Sequence, residues 1–401
     1  MGAGRDAFVT VPGSARRPEQ LRRYRWAILA GGCVAQASVS AILLGLPAIA
    51  PAIRSHYGLS LTQVGVVLAA QNFGGIVTLL PWGMLADRVG ERIVIGVGLT
   101  AAAALLAVTG YTTTFAGLVG ALTLAGAAGA GVNAASGRAV MSWFAPAERG
   151  LALGIRQTAV PVGGALAALI LPALTHHVSV RSAFLALAIG CGGAAVVAVA
   201  LLRSEPVERV GSVGDTLREA RVWRLCAGST FYVATQIALM SFLVLFLHDH
   251  RGVATGTAAG ALALAQVLGG AIRIGAGRWS DHLRARVVPL RTIGLAIAFG
   301  AAITALLVDA PLALLVPVLV VATTLALSWN GLSFTAAAEA AGEGRSGAAI
   351  GLQQTFLAGG SIVAPIAFGA VVHAASWRTA FIAAALSPLV GWTLLAPLAE
   401  R

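Results

Sequence analysis

Apolar residues fill long stretches of this chain, and polar residues gather in short gaps between them. Twelve apolar runs fall near 26–52, 62–85, 93–112, 116–143, 151–174, 182–202, 223–247, 255–277, 290–309, 312–337, 347–373 and 379–398. About 20 apolar residues suffice for a helix to cross a bilayer, and every run is long enough. The pattern predicts an all-α membrane protein with twelve transmembrane helices. The longest polar gap, Arg203 to Arg221, separates six runs from six. It predicts a tail over 1–25, a six-helix bundle over 26–202, a linker over 203–222 and a second six-helix bundle over 223–401.

Composition supports lipid as the solvent. Of 401 residues, 58% are hydrophobic and 10% charged, against about 25% charged in a soluble domain. The net charge is +12, and all 27 basic residues are arginines. They crowd into the tail and alternate gaps. The other gaps hold four: Arg54, Arg181, Arg251 and Arg378. The positive-inside rule then predicts both termini in the cytoplasm of a bacterial cell, with the chain in its inner membrane. The basic residues flank apolar runs and do not interleave with exposed aromatics, so nucleic acid is not an expected partner. Cys33, Cys191 and Cys226 show neither metal nor disulfide spacing and read as small core residues. No nucleotide loop or catalytic constellation is visible. The glycines at 126–131 lack the strand–helix setting of a phosphate loop. The chain is expected to be no enzyme and to need no cofactor or metal.

The two halves repeat. Residues 151–186 align without a gap on 348–383, an offset of 197. Gly154-Ile155-Arg156-Gln157-Thr158 falls on Gly351-Leu352-Gln353-Gln354-Thr355, and Arg181-Ser182-Ala183-Phe184 on Arg378-Thr379-Ala380-Phe381. The same offset sets Asn133 on Asn330, and an offset of 194 sets Asn72 on Gln266. Parallel repeats of this kind let two bundles rock about a site between them.

Between the second and third runs stands Gly83-Met84-Leu85-Ala86-Asp87-Arg88-Val89-Gly90-Glu91-Arg92, and between the eighth and ninth Gly277-Arg278-Trp279-Ser280-Asp281-His282. The first resembles the loop motif of the major facilitator superfamily, and the second its degenerate C-terminal copy. Glu91 departs from the basic residue usual there. The resemblance implies a monomeric secondary transporter using alternating access, driven by an ion or solute gradient, with protons or a counter-substrate as partners. It assigns gating to Gly83, Asp87, Arg88, Gly90, Arg92 and Asp281, with Asp87 facing the start of the eleventh helix. The glycines would permit close helix approach and a tight turn.

Within the runs the charges are all positive. No carboxylate falls at a predicted midplane; Asp309 and Glu339 close the ninth and tenth runs. Arg138 and Arg156 lie nine residues either side of Ala147. They read as an inner gate, reaching the interface, Glu148 or Asp87, or as substrate ligands. Arg273 lies eight residues before Asp281, about 12 Å deeper along a helix. An unpaired arginine at the bilayer centre costs about 2.5–3.5 kcal/mol, so its mate is expected to be a substrate anion. The Arg-to-Ser-Asp spacing resembles that of the superfamily's small-anion permeases of nitrate, oxalate and cyanate type. These usually supply a second basic residue on another helix, where this chain offers Gln353 and Gln354.

Gln36, Asn72, Asn133, Gln157, Gln236, Gln266, Asn330 and Gln354 are candidate substrate ligands or interhelical hydrogen-bonding groups. Tyr232 and Trp329 could flank the cavity. Pro161-Val162-Gly163-Gly164 faintly resembles an antiporter motif. Six of seven histidines lie near the outer face. The expected function is secondary transport of a small organic anion. The alternatives are a proton-coupled exporter of drugs or metabolites and, more remotely, a transporter-like sensor.

Overall fold

The computed structural model describes residues 19–144, 146–203, 219–341 and 346–399. Twelve helical segments are long and apolar enough to cross a membrane. We name the spans α1 (Glu19–Gly45), α2 (Leu61–Val89), α3 (Glu91–Thr109), α4 (Phe115–Trp143), α5 (Pro146–His177) and α6 (Val180–Leu201). The second six are α7 (Ala220–Leu245), α8 (Thr255–Leu283), α9 (Val287–Leu306), α10 (Leu312–Ala326), α11 (Ser346–Ala374) and α12 (Trp377–Ala399). An even number of spans brings the start of α1 and the end of α12 to one face, here the termini face. Most of the expected linker lies outside the described residues.

Two spans differ from the expected runs. α1 continues through a 3-10 turn, Leu46–Ile49, into a short helix, Ala50–Tyr57. Pro47 and Pro51 lie at these two junctions, where each second segment begins. Proline has no N–H to donate and is tolerated only in the first turn of a helix. The tenth run was expected to be one helix. It breaks at Leu327–Trp329 and resumes as Asn330–Ala341.

Local signals fix the junctions. α2 starts with a capping box: Ser60 Oγ accepts from the Gln63 amide at 3.2 Å, and Gln63 Oε1 accepts from the Ser60 amide at 2.9 Å. Gly90 joins α2 to α3 with φ of 85°, a region in which a Cβ is strained. In the first bundle α1 packs on α5, α2 on α4, and α3 on α4 and α6. In the second, α9 packs on α12, α7 on α11 and α12, and α8 on α10. The bundles meet through α2 against α11 and α5 against α8.

Lipid supplies no hydrophobic drive for helix association, so small residues that bring backbones close carry this packing. A Cβ on Gly369 would lie 2.6 Å from the Leu61 carbonyl, and one on Gly270 would lie 3.3 Å from Pro161 Cγ. Gly65 likewise abuts the Pro365 carbonyl. Arg54, beyond α1, forms an ion pair with Asp249, beyond α7. The contacts at Gly369, Gly65 and Arg54 join the bundles in the half of the molecule opposite the termini face, and Gly270 meets Pro161 midway along both helices. Nearer the termini face, Gly83, Gly275, Gly277 and Gly351 have open space where a Cβ would project. The close helix approach expected at Gly83 is therefore not made in this state.

Candidate functional site

Arg156 sits ten residues into α5 from Pro146, and Arg273 ten residues before Leu283, the end of α8. Both ends lie at the termini face. At 1.5 Å per residue the two arginines share a depth of about 15 Å. Along the seam between α5 and α8, Gly164 packs on Gln266 and Pro161 on Gly270. These helices run antiparallel, and continuing the same spacing along them would set Gln157 level with Arg273.

Arg156 does not reach back toward the interface. It is 8% exposed and sits among three helices. Its Nε donates to Ser136 Oγ at 2.9 Å, and its Nη2 to Gln36 Oε1 at 2.9 Å and to the Asn133 carbonyl at 3.4 Å. Gln36 in turn donates to Ser40 Oγ at 3.3 Å. These contacts turn Arg156 toward α1 and α4 and not outward to the interface, while its expected partners Glu148 and the Asp87 side chain lie outside the described residues. Neutral acceptors already stand at its own depth, so the guanidinium is satisfied without bending outward.

Arg273 depends on the break in α10. Its Nε donates to the Leu327 carbonyl at 2.6 Å and its Nη2 to Asn330 Oδ1 at 3.0 Å. Interrupting the helix releases the Leu327 carbonyl from its intrahelical role, and irregular backbone at membrane depth persists only when so satisfied. Gly269 lets α8 approach closely enough, since a Cβ there would lie 2.6 Å from the Leu327 side chain. None of the ion pairs among the described residues involves Arg156 or Arg273. Among the described residues, Nη1 of neither guanidinium makes a hydrogen bond.

The position equivalent to Arg156 holds Gln353. Its Nε2 donates to Ser333 Oγ, and to Ser229 Oγ at 3.4 Å. Ser136 and Ser333 are related by the same offset of 197 as Arg156 and Gln353. Each half thus has one polar hub clasped by equivalent serines, cationic in the first half and neutral in the second. The serines were not singled out from the sequence, although the repeat offset places them in register.

The remaining candidates divide by placement. Asn133 and Gln354 are exposed, and Asn72, Gln157, Asn330 and Arg273 are half-buried. Gln36 and Gln236 are buried within their own bundles. Gln266 is fully buried between the bundles, its Oε1 over Gly164, and neither amide atom has a hydrogen-bond partner. In this state it is a wedge in the closed seam and does not line open space. Tyr232 and Trp329 pack edge to face, 5.9 Å between centroids, with the Tyr232 hydroxyl directed at Gly294 of α9. That is packing within the second bundle and not a cavity wall.

Among the gating candidates, Arg88 and Arg92 are exposed. The side chains of Asp87 and Arg138 lie outside the described residues, as does Glu148. Asp281 pairs with Arg286, whose Nε also meets Glu339 Oε1 at 3.1 Å. Burial lowers the Arg286 pKa, but Asp281 and Glu339 outweigh it and hold the guanidinium above its ordinary value. This cluster ties the α8–α9 loop to the end of the α10 continuation, inside one bundle. Two of the six outer histidines are not bare loop residues: His248 Nδ1 lies 2.8 Å from Asp249, and His250 Nε2 lies 3.5 Å from Asp309. Among the described residues no group of three potential ligands could hold a metal ion.

Comparison with known proteins fits this architecture. An uncharacterized MFS-type transporter of Mycobacterium tuberculosis is 33% identical over 379 residues, covering 92% of this chain and 84% of the relative. A probable L-galactonate transporter of Escherichia coli is 28% identical over 137 residues, 34% of this chain and 30% of that one. The fold also matches an inward-facing, occupied crystal structure of a bacterial homolog of the human lysosomal transporter Spinster. The TM-score is 0.81 at 17% identity, over 94% of this chain and 97% of the other. The family model of the Major Facilitator Superfamily matches residues 28–365, and the chain belongs to that superfamily of secondary transporters.

Proposed function

We propose that this protein carries a small organic anion across the bacterial inner membrane by alternating access, with both termini in the cytoplasm. The observation that carries the proposal is Arg273: a guanidinium about 15 Å along α8 from its termini-face end, positioned by the Leu327 carbonyl and Asn330, with no carboxylate partner among the described residues. Neutral acceptors orient such a charge without cancelling it, which leaves an anion as the group that completes it. The seam closed through α5–α8 and α2–α11 describes the state open toward the termini face. Rocking the bundles apart along that seam would free Gln266, which exchanges an unpartnered burial for solvent or substrate. Residues 26–202 and 223–401 act as the two rocking units, and one chain suffices.

The partial relative named for L-galactonate, an organic acid anion, supports this substrate class. A thermal-shift screen of purified protein tests it, because a ligand that binds the folded state raises apparent stability by about 2.7 kcal/mol at a hundred times its Kd. Organic anions are expected to stabilise the protein, while amines and neutral sugars do not. Stabilisation by amines alone would point instead to an exporter of cationic compounds.

A further inference from the structure

We propose that Arg156 is the second half of the anion site, and that the substrate is a small dicarboxylate with one carboxylate on Arg156 and the other on Arg273. This inference rests on the anion reading above and adds a second residue and a charge number to it.

Four observations converge. Arg156 and Arg273 stand at one depth, ten residues from the termini-face ends of α5 and α8. Those helices face each other across the seam, and the contacts Gly164–Gln266 and Pro161–Gly270 step down it toward these arginines. Arg156 turns to α1 and α4 for its acceptors, and Arg273 turns to α10. The two charges therefore flank the seam, one fixed in each bundle. In both, Nε and Nη2 donate to protein acceptors, and Nη1 makes no hydrogen bond among the described residues.

The molecule contains its own control for the bland alternative, that Arg156 is a packing residue. At the equivalent place the second bundle holds Gln353, clasped by Ser333 and Ser229 as Arg156 is clasped by Ser136 and Gln36. A neutral amide suffices for that geometry. An arginine at the first hub brings into the bundle a charge with no carboxylate partner among the described residues, which packing does not require. Two cations with one open donor apiece match an anion with a charged group at each end. A dicarboxylate would also span the bundles, so its binding energy would depend on the angle between them, as coupled transport needs.

The test compares succinate with butyrate, which has the same carbon count and one carboxylate. Binding is read by thermal shift and competition on purified wild type, Arg156→Gln, Arg156→Lys and Arg273→Gln. Wild type is expected to prefer succinate by at least ~10-fold, about 1.4 kcal/mol. Arg156→Gln, which copies the second bundle's own solution, is expected to stay folded and bind both ligands alike. Arg156→Lys keeps the charge and is expected to retain part of the preference, which a purely structural residue would not show. Arg273→Gln is expected to lose both ligands. An Arg156→Gln protein with the full wild-type preference would overturn the clamp and leave Arg273 as the anion residue. Failure of wild type to bind either carboxylate would overturn the clamp together with the anion reading.

Discussion

Arg156 in the first bundle and Gln353 in the second occupy the same place in the repeat, and their surroundings are nearly the same. Each donates to the serine of the preceding even-numbered helix, Ser136 or Ser333, and to a polar group on the first helix of its bundle, Gln36 or Ser229. What differs is charge. The comparison separates two demands that a single site would confound. Shape and hydrogen bonding require a polar hub, and Gln353 shows that an amide satisfies them. Charge serves something else, and under the proposed anion reading, with no acidic mate for either guanidinium among the described residues, that use is the cargo.

Exchanging the hubs gives the largest expected effect. Gln353→Arg would place a second uncompensated guanidinium in the membrane, at about 2.5–3.5 kcal/mol by insertion scales. Forcing the longer side chain into a packed hub adds about 1–3 kcal/mol more. A severe fall in midpoint is expected in thermal unfolding of the purified protein. A Gln353→Arg protein of wild-type stability would show that the second hub has room for an anion of its own.

Removing the serines comes next. Ser136→Val strips an acceptor from a charged donor, and Ser333→Val from a neutral amide. Leaving a buried polar group unpaired costs about 1–3 kcal/mol, more for a charged one. Ser136→Val should therefore destabilise more than Ser333→Val in the same assay. Equal losses would mean that the Arg156 charge is compensated elsewhere.

The smallest effect is expected for Arg156→Gln without ligand. Its midpoint should stay within about 1 kcal/mol of wild type, or rise, because an unpaired buried charge is removed. A loss of several kcal/mol would make Arg156 structural and end the comparison.

The fold was readable because length and hydropathy alone decide spans in lipid, and the Gly83–Arg92 motif with its partial copy at Gly277 named the architecture. The site was readable only in part. Arg273 and Asn330 were both selected from the sequence and are brought together. The break that supplies the Leu327 carbonyl was not foreseen, since no proline marks it and the polar residues there, Ser328 and Asn330, are too few to interrupt the apolar run. Ser136 and Ser333 were missed because serine is unremarkable one position at a time, and only the repeat offset makes the pair visible. Gln266 was open to two readings, a substrate ligand or an interhelical hydrogen-bonding group, and in this state it is wedged over Gly164 with neither amide atom hydrogen-bonded. Sequence reports what a position can do in some state of a rocking molecule, whereas the structure holds one state.

The central claim concerns the charge at Arg273, and transport measures it most directly. Purified wild type and Arg273→Ala, both monodisperse, would be reconstituted into proteoliposomes and assayed for gradient-driven or exchange uptake of labelled succinate. The account predicts uptake by wild type and none above protein-free vesicles for Arg273→Ala. Uptake by Arg273→Ala at the wild-type rate would contradict it.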